Sequence, residues 1–388
     1  MLLAGLLLAL AADLPGTPLA PWVPGTLDIH QIATGRGNSA FLQLPDGSTL
    51  LIDASAAGEL KYADPKPDAS KRPGQWIAAY IDRVLPKDAP RRIDTALVTH
   101  LHVDHMGGLA DVNAALPIRR LIDRAWPDYN YPEAVPEALM KIHRSAVDAV
   151  RAQGGTIEKA RAGAKDQIAL ANPGSVKTPL EVRLVAVNGE VWTGEGDGTR
   201  PQFPPQSPTT RMEDRPSENE CSVAVRLTFG AFTFYTGGDL TGIPDPGQGS
   251  WRDLETPIGR AIGATDVRVM NHHGSISPDN PAFLAATHSR VVIIPAWAPT
   301  HPAPDALKRA LAPTAYPGPR DVFITNLREP TAITIGDRVK QLKSTHGHVV
   351  VRVDPSGGTY RVVVLDDESA DPRVLSVFGP YDAMREGR

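Results

Sequence analysis

The sequence predicts an α/β fold, and three observations carry the prediction. Short apolar runs rich in β-branched residues, such as 93–98 and 266–270, read as buried strands. Amphipathic stretches at 76–85 and 136–153 read as helices lying between strands. The strands that end at Val98, Thr236 and Met270 each run straight into side chains of the metal-ligand type. With 41% hydrophobic and 22% charged residues, the chain can bury a large core and is not disordered.

Residues 1–12, MLLAGLLLALAA, form an apolar run too short to span a bilayer comfortably. The run reads as the hydrophobic part of a secretory signal, with Ala9 and Ala11 in a small-x-small cleavage pattern, although the basic leading segment is missing. The expectation is a periplasmic or secreted protein, or a cytoplasmic one if the run is not a signal. Residues 13–26 are proline-rich and read as a linker into one domain over 27–388. No transmembrane span is visible in the sequence.

Leu27 to Thr34 alternates as a strand and ends in Gly35-Arg36-Gly37-Asn38-Ser39. Asp46-Gly47 marks a hairpin turn into 49–54, TLLIDA, and 55–74 reads as a surface loop. The strand 93–98 then meets Thr99-His100-Leu101-His102-Val103-Asp104-His105-Met106-Gly107-Gly108. In extended chain, His100 and His102 share a face and can reach one ion. A turn at Val103–Asp104 delivers Asp104 and His105 to a second position nearby, and the two glycines let backbone pass close beneath. A lone histidine is usually a core residue; three with an aspartate after a strand point to a metal cluster.

A short helix at 110–116 and a strand at 118–122 are expected next. The helix at 136–153 carries Leu139, Ile142, Ala146, Val147 and Val150 as its stripe, with His143 at the border in a structural role. After a strand at 180–187, residues 188–218 form an irregular loop dense in Gly, Pro, Ser and Thr that carries Arg200, Arg211 and Arg215. A loop that long inside a compact domain is usually functional or disordered. It returns the chain to Asn219-Glu220-Cys221-Ser222, and Cys221, alone in the sequence, reads as a small buried hydrophobe.

Strands at 222–229 and 231–236 pair across a turn and end in Gly237-Gly238-Asp239. The strand 266–270 ends in Asn271-His272-His273-Gly274-Ser275, and 290–294 leads to Pro299-Thr300-His301-Pro302. A strand at 321–325 and a hairpin over 348–365 finish the chain. His30 reads as packing, and His346 and His348 as a solvated loop.

The H-x-H-x-D-H-x-G-G stretch resembles the signature of the metallo-β-lactamase superfamily. The N-x-x-S phrase at 219–222 and the H-H-G-S phrase at 272–275 narrow the resemblance to the hydrolase domain of ComEC-type DNA-uptake proteins. The resemblance implies a four-layer αββα sandwich with a one- or two-metal hydrolytic site at the edge of two mixed sheets. It implies that Asp239 bridges the two ions, and a carboxylate suits that role because each oxygen can hold one. His100, His102 and Asp239 would hold one ion; Asp104, His105, Asp239 and one of His272 or His273 would hold the other. His272 is favoured there, with His273 and Ser275 beside it as outer-sphere or substrate contacts. Asp53 would support the ligands from behind, or else cap a turn. Asn219 and His301 would face the substrate.

One departure stands out. Between His105 and Asp239 the chain has only His143, so the superfamily's usual third histidine of the first site is missing. That leaves the first ion weakly held or water-rich and counts against a lactamase or glyoxalase-like member. Nitrogen and oxygen donors without thiolate suit zinc first, with manganese or iron as alternatives. The reading is an exported hydrolase in which a water, acidified to hydroxide and oriented by Asp104 and Asp239, attacks a phosphoester. His301 and loop arginines would bind or protonate the leaving group. The alternatives are a lactam or lactone hydrolase, and a non-catalytic metal-containing binding protein. A net charge of −4 gives no overall field for nucleic acid, so the expected partner is a small-molecule or phosphodiester substrate.

Overall fold

The structure, a computed structural model, describes residues 13–384 apart from 59, 60, 62, 132–134 and 208. The candidate signal at 1–12 lies outside the described residues. Two nine-stranded mixed sheets form the molecule. The first runs, edge to edge, β18 (Val374–Asp382), β17 (Thr359–Leu365), β16 (His348–Val353), β1 (Leu27–Gln31), β2 (Ala40–Gln43), β3 (Thr49–Ile52), β4 (Thr95–Leu97), β5 (Arg120–Asp123) and β6 (Thr156–Lys159). The second runs β15 (Leu342–Ser344), β14 (Asp321–Ile324), β13 (Val291–Ile294), β12 (Val267–Val269), β11 (Phe232–Thr236), β10 (Ala224–Phe229), β7 (Leu180–Val187), β8 (Glu190–Trp192) and β9 (Thr199–Pro201).

Period-two alternation explains how two sheets and two helical layers share one chain. In β13, Val291 and Ile293 face the other sheet in the central core, while Val292 and Ile294 join a separate cluster with helices α7 (Pro304–Leu311) and α8 (Glu329–Ile335). Both faces are covered, so the strand reads as an unbroken apolar run. On the first sheet, Phe41, Leu51 and Val98 pack outward against α1 (Pro73–Val84), α3 (Leu109–Ala115) and α4 (Glu137–Ala152). On the second, Ala186 and Tyr235 pack against α5 (Glu255–Ile262) and α6 (Pro281–Thr287). The α/β sandwich expected from sequence is the observed fold. Strands β3 to β6 pair in parallel, as do β11 to β15, so their carboxyl ends gather on one side. Ligand sites in α/β sheets form outside those ends.

Several local expectations differ. Residues 13–26 are no free linker: buried Asp13 accepts from Arg352 at 3.2 Å, and Pro18 bridges to Arg373. The 188–218 stretch contains the short strands β8 and β9, whose period is too brief to read against its glycines and prolines. The buried stripe of α4 is rotated from the expected one: Met140 and His143 lie inside, while Leu139 and Ile142 are only half-buried. His143 bonds Asp123 at 3.1 Å and Tyr129 at 3.0 Å. His348 is not in a solvated loop; it opens β16, is buried, and its Nδ1 accepts from the Ala33 amide at 3.0 Å. His346 is exposed. Among the described residues, no helix is long and apolar enough to cross a membrane.

Candidate metal centre

Four strand ends deliver the candidate side chains. Asp53 follows β3; His100 to His105 follow β4 and lead into the short helix α2 (Val103–Met106), where sequence suggested only a turn. Asp239 follows β11, and His272 and His273 follow β12. Close backbone approach is built in: a Cβ on Gly108 would lie 2.2 Å from the Ala54 carbonyl oxygen, and one on Gly37 would lie 2.2 Å from that of Asp104.

Two donor sets result. Asp104, His105, Asp239 and His273 form one, and His100, His102 and Asp239 the other. In the four-residue set, His105 Nε2 lies 3.2 Å from Asp239 Oδ1 and 3.2 Å from His273 Nε2, and His273 Nε2 lies 3.2 Å from Asp104 Oδ2. A tetrahedron with bonds of about 2.0–2.1 Å has edges of roughly 3.3–3.4 Å, so these donors are spaced for one ion. In the other set, His100 Nε2 lies 3.1 Å from His102 Nδ1 and 3.7 Å from Asp239 Oδ2. Asp239 therefore turns one oxygen toward each set.

The expected ligand from the histidine pair was His272. The geometry selects His273 for the Asp104–His105 set, because its Nε2 also lies 3.6 Å from Asp239 Oδ1, whereas His272 approaches Oδ2. Spacing could not separate two adjacent histidines. What separates them is backbone: both residues are left-handed, with φ of 47° and 54°, which splays their rings to different sides. Such conformations cost of order 1–3 kcal/mol each and persist only where neighbours hold them. Here the His272 amide donates to the Gly238 carbonyl at 2.9 Å, and Asn271 Nδ2 donates to buried Glu255 at 2.9 Å.

The outer contacts fix the proton positions. Asp53 Oδ2 accepts from His105 Nδ1 at 2.7 Å, Asn38 Nδ2 at 2.9 Å and Thr99 Oγ1 at 2.9 Å. The Pro295 carbonyl, which can only accept, takes the His273 Nδ1 proton at 3.0 Å. The two Nε2 atoms lie 3.2 Å apart, and a cation between them would take both lone pairs and leave each ring with its one proton on Nδ1. Burial would lower the His105 pKa, but the carboxylates of Asp239, Asp53 and Asp104 outweigh it and raise it well above its usual value. Burial lowers His100 well below its usual value, helped by His105. Burial would raise Asp104 and Asp239, yet His105 and His273 hold both below the ordinary carboxylate range. Asp239 Oδ1, buried, makes no hydrogen bond. The donors, their spacing and this concentration of buried anions fit divalent cations.

The other expected residues are placed as follows. His301 stacks on His273 with ring centroids 5.1 Å apart, and burial followed by the His273 charge pulls its pKa down to about 3. Ser275 Oγ is buried without a hydrogen bond, and Asn219 lies 3.3 Å from His272 Nε2. Cys221 is buried in a cluster under β10. Of the three loop arginines expected to meet substrate, Arg211 pairs with Asp214, Arg215 donates to the Thr210 carbonyl, and Arg200 is exposed on β9. Sequence reasoning missed Arg124 and Glu218, Arg252 and Glu220. Buried Arg124 holds Glu218, whose Oε1 also accepts from the Leu101 amide at 2.7 Å, tying the long loop to the segment between His100 and His102. Arg252 clamps Glu220 with contacts of 2.9 and 2.7 Å, so Asn219 sits between two ion pairs. No motif signals such pairs, because partners lie far apart in sequence.

Fold and site together define an αββα protein with two candidate metal-donor sets at the carboxyl ends of its strands. A family model described as the metallo-beta-lactamase superfamily matches residues 33–191, less than half of the chain, and supports that superfamily for this protein. No curated protein matches the chain in sequence. Among solved structures, CmlA, a diiron β-hydroxylase from Streptomyces venezuelae, is similar at 13% identity over 76% of this chain and 52% of its own, with a TM-score of 0.43. This chain thus spans about half the length of CmlA. Igni18, a metallo hydrolase from Ignicoccus hospitalis, is similar at 12% identity over 84% of this chain and 98% of its own, with a TM-score of 0.34. MEM-A1, a subclass B3 metallo-β-lactamase from a soil metagenome library, shares 14% identity over 78% of this chain and 88% of its own, with a TM-score of 0.33.

Proposed function

We propose that this chain is an exported metal-dependent hydrolase with two divalent ions, zinc first among them, and that it acts on phosphoesters in the manner of the ComEC-type branch. The observation that carries the two-ion reading is Asp239, with Oδ1 toward His105 and His273 and Oδ2 toward His100. The phosphoester class rests on the N-x-x-S and H-H-G-S phrases, whose residues Asn219 and Ser275 border the same cluster. Bound ions would supply Lewis acidity and a water made nucleophilic near neutral pH.

The chain's own groups divide the remaining work. Asp104, its carboxyl held below the ordinary range, can accept a proton but not donate one. His301, held neutral, can hydrogen-bond a substrate oxygen through its ring but is no reservoir of acid; binding fits it better than protonating a leaving group. Asp53 and Pro295 keep His105 and His273 in fixed tautomers.

The test is turnover of bis(p-nitrophenyl) phosphate, nitrocefin and an acyl-homoserine lactone by protein loaded with zinc or manganese. The proposal expects phosphodiester turnover that a chelator abolishes. Turnover of nitrocefin or lactone alone would replace the substrate class. Tight metal with no turnover of any of the three would favour a binding protein.

A further inference from the structure

The first donor set is short of a ligand, and the structure offers one that sequence spacing assigned elsewhere. His100 and His102 give two nitrogens and Asp239 Oδ2 one oxygen, while His143, the histidine between His105 and Asp239, is spent on Asp123 and Tyr129. His272 Nε2 lies 3.7 Å from Asp239 Oδ2, the same distance and the same oxygen as His100 Nε2. Its neighbour His273 lies against the other oxygen, Oδ1, at 3.6 Å. The two rings are 6.4 Å apart, one toward each side of the carboxylate.

The His272 nitrogen keeps its lone pair. As placed, the Asn219 side-chain amide nitrogen lies 3.3 Å from Nε2, which is then an acceptor, and Asn219 Oδ1 is buried with no hydrogen bond. Asn219 is pinned by the Glu218 and Glu220 ion pairs on either side. Asp239 Oδ2 thus has two histidine nitrogens at 3.7 Å, His100 Nε2 from the first sheet and the acceptor His272 Nε2 from the second.

We infer that His272 is a ligand of the first ion, replacing the histidine missing between His105 and Asp239, so that two consecutive histidines serve one ion each. This rests on the two-ion reading above and deepens it. The consecutive left-handed residues gain a purpose: an ordinary turn would direct adjacent side chains without straddling one carboxylate. The first ion would then be held by three imidazoles and Asp239. Its loss would follow from breaking a turn on the second sheet as surely as from breaking the H-x-H motif on the first.

The test reads bound metal, so it does not depend on finding a substrate. Wild type, His272→Ala, His273→Ala and His100→Ala are loaded with cobalt(II), and stoichiometry, visible absorption and chelator competition are measured. Circular dichroism of each metal-free variant checks folding, and His272→Gln serves as a milder replacement should His272→Ala unfold. The expected result is two ions in wild type and one in His272→Ala, whose residual spectrum matches that of His100→Ala and differs from that of His273→Ala. The affinity of the lost site should fall by more than the about 10–100-fold typical of an outer-sphere change. Two tightly held ions in folded His272→Ala or His272→Gln would overturn the assignment, as would a residual spectrum matching His273→Ala or a single ion in wild type. Two ions placed as expected in a protein that hydrolyses none of the three substrates would leave the assignment standing and sink the hydrolase.

Discussion

The two donor sets on either side of Asp239 differ in how they are enclosed. The Asp104 side is backed by fixed partners: Asp53 holds His105, and the Pro295 carbonyl holds His273. The His100 side is looser. His102 is half-buried, His272 has a quarter of its side chain exposed, and the nearby contacts come from a long loop clamped by ion pairs. The comparison teaches that one carboxylate can join a preorganised half and an accessible half. An ion on the Asp104 side is expected to be a fixture, and one on the His100 side to be nearer to solvent and substrate.

The largest effect that would sharpen this comparison is at the shared residue. Asp239→Asn removes the anion facing both sets, leaving two cations about 3.5–4 Å apart with their repulsion largely uncompensated. Bound metal should fall below two per chain and turnover should drop by orders of magnitude. His143→Ala, in a cluster of its own with Asp123 and Tyr129, should keep both ions and lose only stability. Metal analysis of the two variants checks both; the reverse pattern would place the site elsewhere.

A smaller effect separates the halves. Asp53→Asn can no longer serve as the carboxylate acceptor for the His105 Nδ1 proton, so the ion on the Asp104 side should weaken by about 10–100-fold while the other is little changed. Chelator competition resolves the two affinities. Equal weakening of both would mean that the halves are not independently built.

Much of this was legible in the chain. The H-x-H-x-D-H motif is local, so its four ligand-type residues could be read from one strand end and a turn. Asp239 was legible because a strand ended in two glycines and a carboxylate. The choice between His272 and His273 was not, because it depends on left-handed backbone set by contacts with Gly238 and Glu255. The Arg124–Glu218 and Arg252–Glu220 pairs were hidden for a similar reason: each joins segments that only the folded sheets bring together. β18 escaped notice because its exposed alternation, interrupted by Gly379-Pro380, resembles a tail more than a strand. His348 was misplaced because a glycine before it suggested a loop, whereas it opens a buried strand.

The smallest expected effect lies away from the metal centre and gives a baseline for it. Burial, followed by the His30 charge, lowers His348 to about 3, so the folded state resists its protonation. The unfolded chain, with a pKa near 6.5, binds that proton first, so stability from this group is present above about pH 6.5 and lost as pH falls toward about 3. In metal-free protein, His348→Gln should flatten the acid limb of stability against pH by up to about 1.4 kcal/mol per pH unit. Urea unfolding from pH 7 to 4 measures it, and an unchanged slope would mean that His348 is not held neutral.

The central claim is that two ions sit on opposite sides of one carboxylate. Anomalous diffraction from crystals of the zinc- or manganese-loaded protein tests it most directly. The account predicts two peaks about 3.5–4 Å apart, one toward Asp239 Oδ1 with Asp104, His105 and His273, the other toward Oδ2 with His100 and His102. A single peak, or two peaks of which neither touches Asp239, would contradict it.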